Sequence, residues 1–212
     1  LINNGIGAAA PGPVKTWIEQ RRNYILQELN KVAADFEFTI NGGNNFSTTE
    51  NFVTLTGTAP VQVKTIRING VAYPATWTSV TNWSIQYALE PGVNSLVLQA
   101  FDTAGNLIAG LSDSITITFT GAIESPEDSL VINEIMFNPA VPDAEYVEIY
   151  NRATNTAFDL TGYRLRGVDF NFPEGTILPP GGYALAVKDS GTFLAAYGAG
   201  HPVIGSYPGA LD

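Results

Sequence analysis

Turn-forming residues interrupt the middle of this chain at intervals of about ten residues, and that rhythm restricts what it can fold into. Asn41-Gly42-Gly43-Asn44-Asn45, Asn69-Gly70, Pro91-Gly92 and Ala104-Gly105-Asn106 each lie between short runs of alternating apolar residues. Phe36, Phe38 and Ile40 form one run, Phe52 to Gly57 a second, and Val63, Ile66 and Ile68 a third. Val71, Tyr73, Trp77, Trp83, Ile85, Tyr87 and Leu89 continue the pattern, with a break near Ser79–Asn82. Ser95–Asp102 and Ser114–Phe119 complete it. A period of two places one face of each run on a core and the other in water. Asn-Gly supplies the left-handed backbone that a two-residue hairpin needs. About seven short strands between residues 36 and 121 therefore predict a β-sandwich.

The sequence holds no cysteine. An immunoglobulin-like sandwich here must do without the disulfide-and-tryptophan centre of antibody domains and rest on apolar packing. The same absence excludes thiolate catalysis and cysteine-based zinc sites. His201 is the single histidine, so a histidine zinc site is not expected either.

Ahead of the sandwich the pattern differs. Gly5-Ile6-Gly7-Ala8-Ala9-Ala10 fits a loose G-x-G-x-x-A pattern. No strand precedes it, and Pro11-Gly12-Pro13 follows where a dinucleotide site needs a helix, so it reads as a linker. From Pro13 onward, Val14, Trp17, Ile18, Ile25, Leu29 and Val32 recur on one helical face, widened by Tyr24 and Leu26. Lys15, Glu19, Gln20, Arg22, Asn23 and Lys31 lie opposite. This predicts an amphipathic helix of about 18–20 residues. Its stripe is expected to pack against the first sandwich.

Apolar residues make up 45% of the chain but charged residues only 14%, against about a quarter in an average protein. With 21 glycines and 13 prolines, this composition suits exported all-β modules. The net charge is −10, and residues 122–212 carry twelve acids and four bases. A surface of that sign opposes nucleic acid and anionic lipid. No apolar run approaches the roughly 18 residues of a membrane span. The chain opens at Leu1 without a basic-then-apolar leader, and reads as an internal piece of a longer protein.

Polar residues 121–129 suggest a boundary. Beyond them come Ile132-Asn133-Glu134-Ile135, Tyr146-Val147-Glu148-Ile149-Tyr150-Asn151, Leu160-Thr161-Gly162-Tyr163-Arg164-Leu165 and Leu178-Pro179-Pro180-Gly181-Gly182-Tyr183. In order and spacing these resemble the lamin tail domain over about residues 129–212. The resemblance implies an immunoglobulin-like sandwich and names no reaction. Family members normally continue into further strands, so the last strands are expected to be absent and a sheet edge unpaired. Pro13-Val14-Lys15-Thr16-Trp17-Ile18-Glu19-Gln20-Arg21-Arg22-Asn23-Tyr24-Ile25 resembles the segment ending the spore-coat CotH kinase-like domain. In large bacterial surface proteins that domain often precedes immunoglobulin-like and lamin-tail modules. None of its nucleotide or metal ligands falls on a position here.

Within the last segment, strict alternation puts Leu130, Ile132, Glu134 and Met136 on one face and Val131, Asn133, Ile135 and Phe137 on the other. Two apolar faces predict central strands. Gly191–Tyr197 is expected to form a helical turn capped by Ser190. Glu134 and Glu148 are the most suggestive carboxylates, open to acid–base or metal chemistry, or to hydrogen bonds from tyrosine hydroxyls and a pairing with Arg152 or Arg164. Asp143, Glu145, Asp169 and Glu174 could hold Ca²⁺, although no calcium-loop spacing is present. Trp17, Trp77 and Trp83, with Tyr73 and Tyr87, could form a sugar-stacking platform or lie in the core.

These features predict an all-β protein: two tandem immunoglobulin-like β-sandwiches preceded by one amphipathic α-helix. The expected organisation is linker and helix at 1–35, sandwiches at 36–121 and 129–212. The expected function is a non-catalytic spacer or binding segment of an exported bacterial surface protein, located extracellularly or at the cell surface. No catalytic, cofactor-binding or metal-binding residue is assigned, and no cofactor is expected. The expected partners are an unknown protein or polysaccharide ligand and neighbouring domains of the same chain, with no nucleic acid. The alternative function is a carbohydrate-binding module using exposed aromatics.

Overall fold

The computed structural model describes residues 11–30, 32–209 and 211. The Gly5–Ala10 pattern lies outside them. Helix α1 (Pro11–Asn30) leads into the first module. Its strands are β1 (Glu37–Phe38), β2 (Phe46–Thr48), β3 (Phe52–Thr58), β4 (Thr65–Ile68), β5 (Val71–Ala72), β6 (Ala75–Trp77), β7 (Asn82–Ala88), β8 (Gly92–Phe101) and β9 (Leu107–Phe119). They form one sheet in the order β1-β3-β7-β6 and a second in the order β2-β9-β8-β4-β5. Asn69 and Gly70 turn β4 into β5, both at positive φ. Leu55, Ile66, Ile85, Leu98, Ile115 and Ile117 are buried between the sheets. Trp83 crosses this core over Gly57, where a Cβ would come within 2.1 Å of the indole. The chain thus spends a glycine in mid-strand to seat its largest side chain.

The second module contains α2 (Pro126–Ser129), β10 (Leu130–Met136), β11 (Tyr146–Asn151), β12 (Phe158–Asp159), β13 (Arg164–Leu165), β14 (Phe170–Asn171), β15 (Ile177–Leu178), β16 (Tyr183–Val187), α3 (Ser190–Tyr197) and β17 (Val203–Ser206). Its main sheet runs β10-β11-β16-β17, the last pair parallel. One face of β11 and β16 packs on residues of the β12-β15 and β13-β14 ladders, burying Val147, Ile149 and Ala186 with Leu160, Phe170 and Leu178. The other face takes α3 through Leu185, Val187 and Phe193. Asp189 caps α3, its side chain accepting from Thr192 N at 2.7 Å. The cap lies one residue earlier than the sequence suggested, because the Asp carboxylate reaches the first-turn amide.

Buried Asn151 organises this module. Its side-chain amide donates to Thr156 O, Leu178 O and Pro179 O at 2.8–3.1 Å, and its Oδ1 accepts from Ala153 N at 3.0 Å. Its backbone pairs with Gly181 N and Gly182 O. One side chain therefore satisfies loop carbonyls that a low-dielectric interior would otherwise leave unpaired.

Two expectations for this sheet fail. A β-bulge lies between Ile132 and Glu134 in the β10–β11 ladder. Ile132 pairs with Ile149, and Ile135 with Val147, so both isoleucines share the inward register. A bulge adds a residue and breaks strict alternation. β10 is also an edge strand, not a central one; β11 holds the interior position.

The modules meet at a hydrogen-bonded joint. Buried Asn51 donates from Nδ2 to Ala157 O at 2.9 Å, and its Oδ1 accepts from Ala157 N at 2.8 Å. Tyr73 donates its hydroxyl to Asp159 Oδ2 at 2.6 Å, and Glu174 Oε2 accepts from Ala72 N at 3.3 Å. Gly175 sits at φ +71°, and a Cβ there would come within 2.5 Å of Ala72 O. Ile177 of the second module packs on the first core.

Helix α1 forms where expected, but its stripe does not pack on the first sandwich. Trp17 is 63% exposed, and Ile18, Tyr24, Ile25 and Leu26 are also open to solvent. The two sheets close their core without it. Only its C-terminal end approaches the sandwich, where Leu26 and Leu29 face Pro60–Gln62 across a shallow groove.

Asn51→Ala should lower stability by about 2 kcal/mol, because it strands the buried Ala157 amide and carbonyl. Urea unfolding measures this, and small-angle scattering should show a more variable angle between the modules. An unchanged midpoint and scattering profile would mean that other contacts hold the joint.

Candidate functional site

The bulge also sets the outer face of the second module's main sheet. Asn133 Nδ2 donates to Glu148 Oε1 at 2.7 Å. Glu134 pairs in register with Glu148. Tyr150 and Tyr183, opposite each other on β11 and β16, stack with centroids 4.5 Å apart and planes 23° from parallel. Tyr183 is exposed. Beside this pair, Asn133, Glu148, Tyr183, Pro179, His201 and Ile204 line an open cleft of about 630 Å³. His201 Nε2 lies 3.2 Å from Tyr197 O, and its ring stands edge-on to Phe193.

Glu148 meets an amide, Glu134 lies near a phenol, and His201 bonds a backbone carbonyl. None of these pairs a nucleophile with a base. Neither arginine reaches the two carboxylates: Arg164 pairs with Asp169, and Arg152 donates from Nε to Asp128 O. Burial and the nearby Glu134 carboxylate push the Tyr146 phenol up to about 12.

The four loop acids do not converge. Asp143 and Glu145 both contact Lys188, at 3.0 and 3.2 Å, and Glu145 also accepts from Leu211 N. Asp169 is bound by Arg164 and Glu174 belongs to the joint. Among the described residues no three His, Asp or Glu side chains form a cluster able to hold a metal.

The suggested aromatic platform does not assemble. Trp83 is buried and donates to Thr58 O at 2.9 Å. Tyr73 and Tyr87 pack together, centroids 5.0 Å apart, near the joint. Trp17 and Trp77 are exposed on separate elements, α1 and β6. The Tyr150–Tyr183 pair was not foreseen. Alternation along β11 puts Tyr146, Glu148 and Tyr150 on one face, but pairing with Tyr183 depends on strand register.

Residues 124–206 match the Lamin Tail Domain family model. No curated protein matches the chain. The matched part is an immunoglobulin-like structural or interaction module. Its Tyr-Val-Glu-Ile-Tyr-Asn run spends Val147 and Ile149 on the core and Asn151 on the loops, leaving Glu148 and Tyr150 on the outer face. Among the described residues, no helix is long and apolar enough to cross a membrane.

The raised tyrosines predict a pH dependence. Burial also lifts Tyr207 to about 12, with Glu145 nearby adding to the effect. A phenol whose folded value lies above its unfolded one adds stability in full below about pH 10 and loses it as pH rises through about 12. Urea midpoints should therefore fall between about pH 10 and 12, while phenolate absorbance from part of the tyrosines appears late. A flat midpoint across that interval would contradict the assignment.

Proposed function

We propose that the two sandwiches act as a non-catalytic, stiff spacer and binding segment of a longer exported bacterial surface protein. The observation that carries this reading is the joint. Asn51, Tyr73 and Glu174 cross between the modules and bond to backbone or carboxylate partners. Such bonds hold one module at a set angle to the next, which suits a segment that positions its neighbours. The polar side chains that could carry chemistry are already committed to structural hydrogen bonds. The export context rests on the low charged content and the resemblance of α1 to the end of a CotH kinase-like domain.

A second reading, a carbohydrate-binding module, is favoured by the Tyr150–Tyr183 stack beside the cleft. An exposed tyrosine ring with Asn133, Glu148 and His201 nearby offers an apolar face and polar groups together, which is what a sugar ring presents in return. Affinity electrophoresis against soluble neutral polysaccharides tests it. Retardation by at least one of them, weakened about tenfold in Tyr183→Ala, is expected on this reading. Migration unaffected by every polysaccharide would remove it.

For the main reading, rotational diffusion measured by NMR relaxation should report both modules tumbling as one body. Independent tumbling of residues 36–121 and 129–211 would defeat the spacer role.

A further inference from the structure

We propose that the Tyr183 cleft is one half of a longer groove that crosses the joint and binds several consecutive units of a linear, neutral polysaccharide. The proposal rests on the carbohydrate-binding reading and names its ligand class: a chain held by both modules, not a single sugar held by one.

Two clefts meet at the joint. The first, about 630 Å³, is lined by Asn133, Glu148, Tyr183 and His201 among others. The second, about 440 Å³, lies between Thr76 and Gln86 of the first module and Glu174 and Gly175 of the second. Thr176, Ile177 and Ile204 line both, so the two are continuous. Each alone has the volume of a small-molecule site, roughly 300–1,000 Å³. Joined, they have room for an oligomer. Gly175 brings the halves together, since only a residue without Cβ can lie so close to Ala72, Tyr73 and Pro74. Gln86, Glu148 and Tyr183 stand on β7, β11 and β16, which are interior strands. The groove therefore does not depend on an open strand edge.

The lining selects the occupant. Pro74, Pro173, Ile177 and Ile204 give an apolar floor, and the Tyr183 ring, stacked on Tyr150, extends it. Thr76, Gln86 and Asn133 add a hydroxyl and two amides. A pyranose chain offers the matching pair along its whole length, with C–H faces for apolar and aromatic surfaces and hydroxyl edges for amides. The charged lining residues are Glu148 and Glu174; among the described residues of both clefts there is no lysine or arginine. Two carboxylates repel a polyanion, whereas a neutral chain meets no such cost. An extended peptide fits less well. Peptides commonly dock by adding to a free strand, and β7, β11 and β16 are paired on both sides.

The probes are cello-, manno- and xylo-oligosaccharides, each as disaccharide and hexasaccharide, followed by NMR titration of the full chain. At least one hexasaccharide should bind saturably and about tenfold or more tighter than its disaccharide. Its shifts should appear at Thr76 and Gln86 as well as at Asn133 and Tyr183. Thr76→Arg and Gln86→Ala should each weaken the hexasaccharide severalfold and leave the disaccharide unchanged. Both residues are exposed, so the urea midpoint should not move. Equal affinity for the two lengths, with shifts confined to the Tyr183 cleft, would overturn the proposal and leave the carbohydrate-binding reading standing. Absence of saturable binding by every probe would also overturn it, and retardation by polysaccharides in affinity electrophoresis then decides separately whether that reading survives. Saturable binding of a random heptapeptide pool at these residues, with no sugar bound, would assign the groove to a protein partner and overturn both.

Discussion

A single side-chain amide decides how the two halves of this protein stand to each other. Asn51 presents a donor and an acceptor to the backbone of Ala157, as a neighbouring strand would, at 2.9 and 2.8 Å. Both residues are buried. Breaking the contact would leave four polar groups facing an apolar interior, a large cost beside the stability of a small domain. Tyr73–Asp159 and the close approach of Gly175 to Ala72 follow from the alignment that this pair sets.

The second module repeats the device on a smaller scale. Its β12-β15 and β13-β14 ladders are two residues long, too short to order the loops that link them. Asn151 compensates by binding three loop carbonyls, and Glu145 ties Lys188 to the backbone of Leu211. Polar groups that invite a catalytic reading in sequence are thus the fasteners of a loop-rich sandwich. This is why Asp143, Glu145, Asp169 and Glu174 scatter instead of converging: each has its own partner, Lys188 for the first two, Arg164 for Asp169 and the Ala72 amide of the first module for Glu174.

The division of faces on this module traces to one extra residue. The bulge near Asn133 sets Asn133 beside Glu148 on the outer face and returns Ile135 to the register of buried Val147. Without it, Ile135 would share the outer face with Glu148. Bulges near edges commonly re-aim side chains in this way. Here the bulge divides a polar, aromatic face from an apolar one across a single strand.

Much of this was legible in the residues themselves. The alternation from Phe36 to Phe119, the Asn69-Gly70 hairpin, the α1 period and the lamin-tail motif are local patterns, and local backbone preference with side-chain period determines them. The roles of Asn51, Asn151 and Gly175 were not legible, because each depends on a partner distant in the chain; Asn51 and Ala157 are 106 positions apart. Nor was the fate of the α1 stripe, since amphipathicity states that a face is apolar and not what lies against it. The sequence by itself determined the strands, the turns and the sandwich class. Only the tertiary structure decided which strands are interior, which tyrosines stack and which acids are fasteners, because register, bulges and long-range hydrogen bonds exist only once distant segments meet.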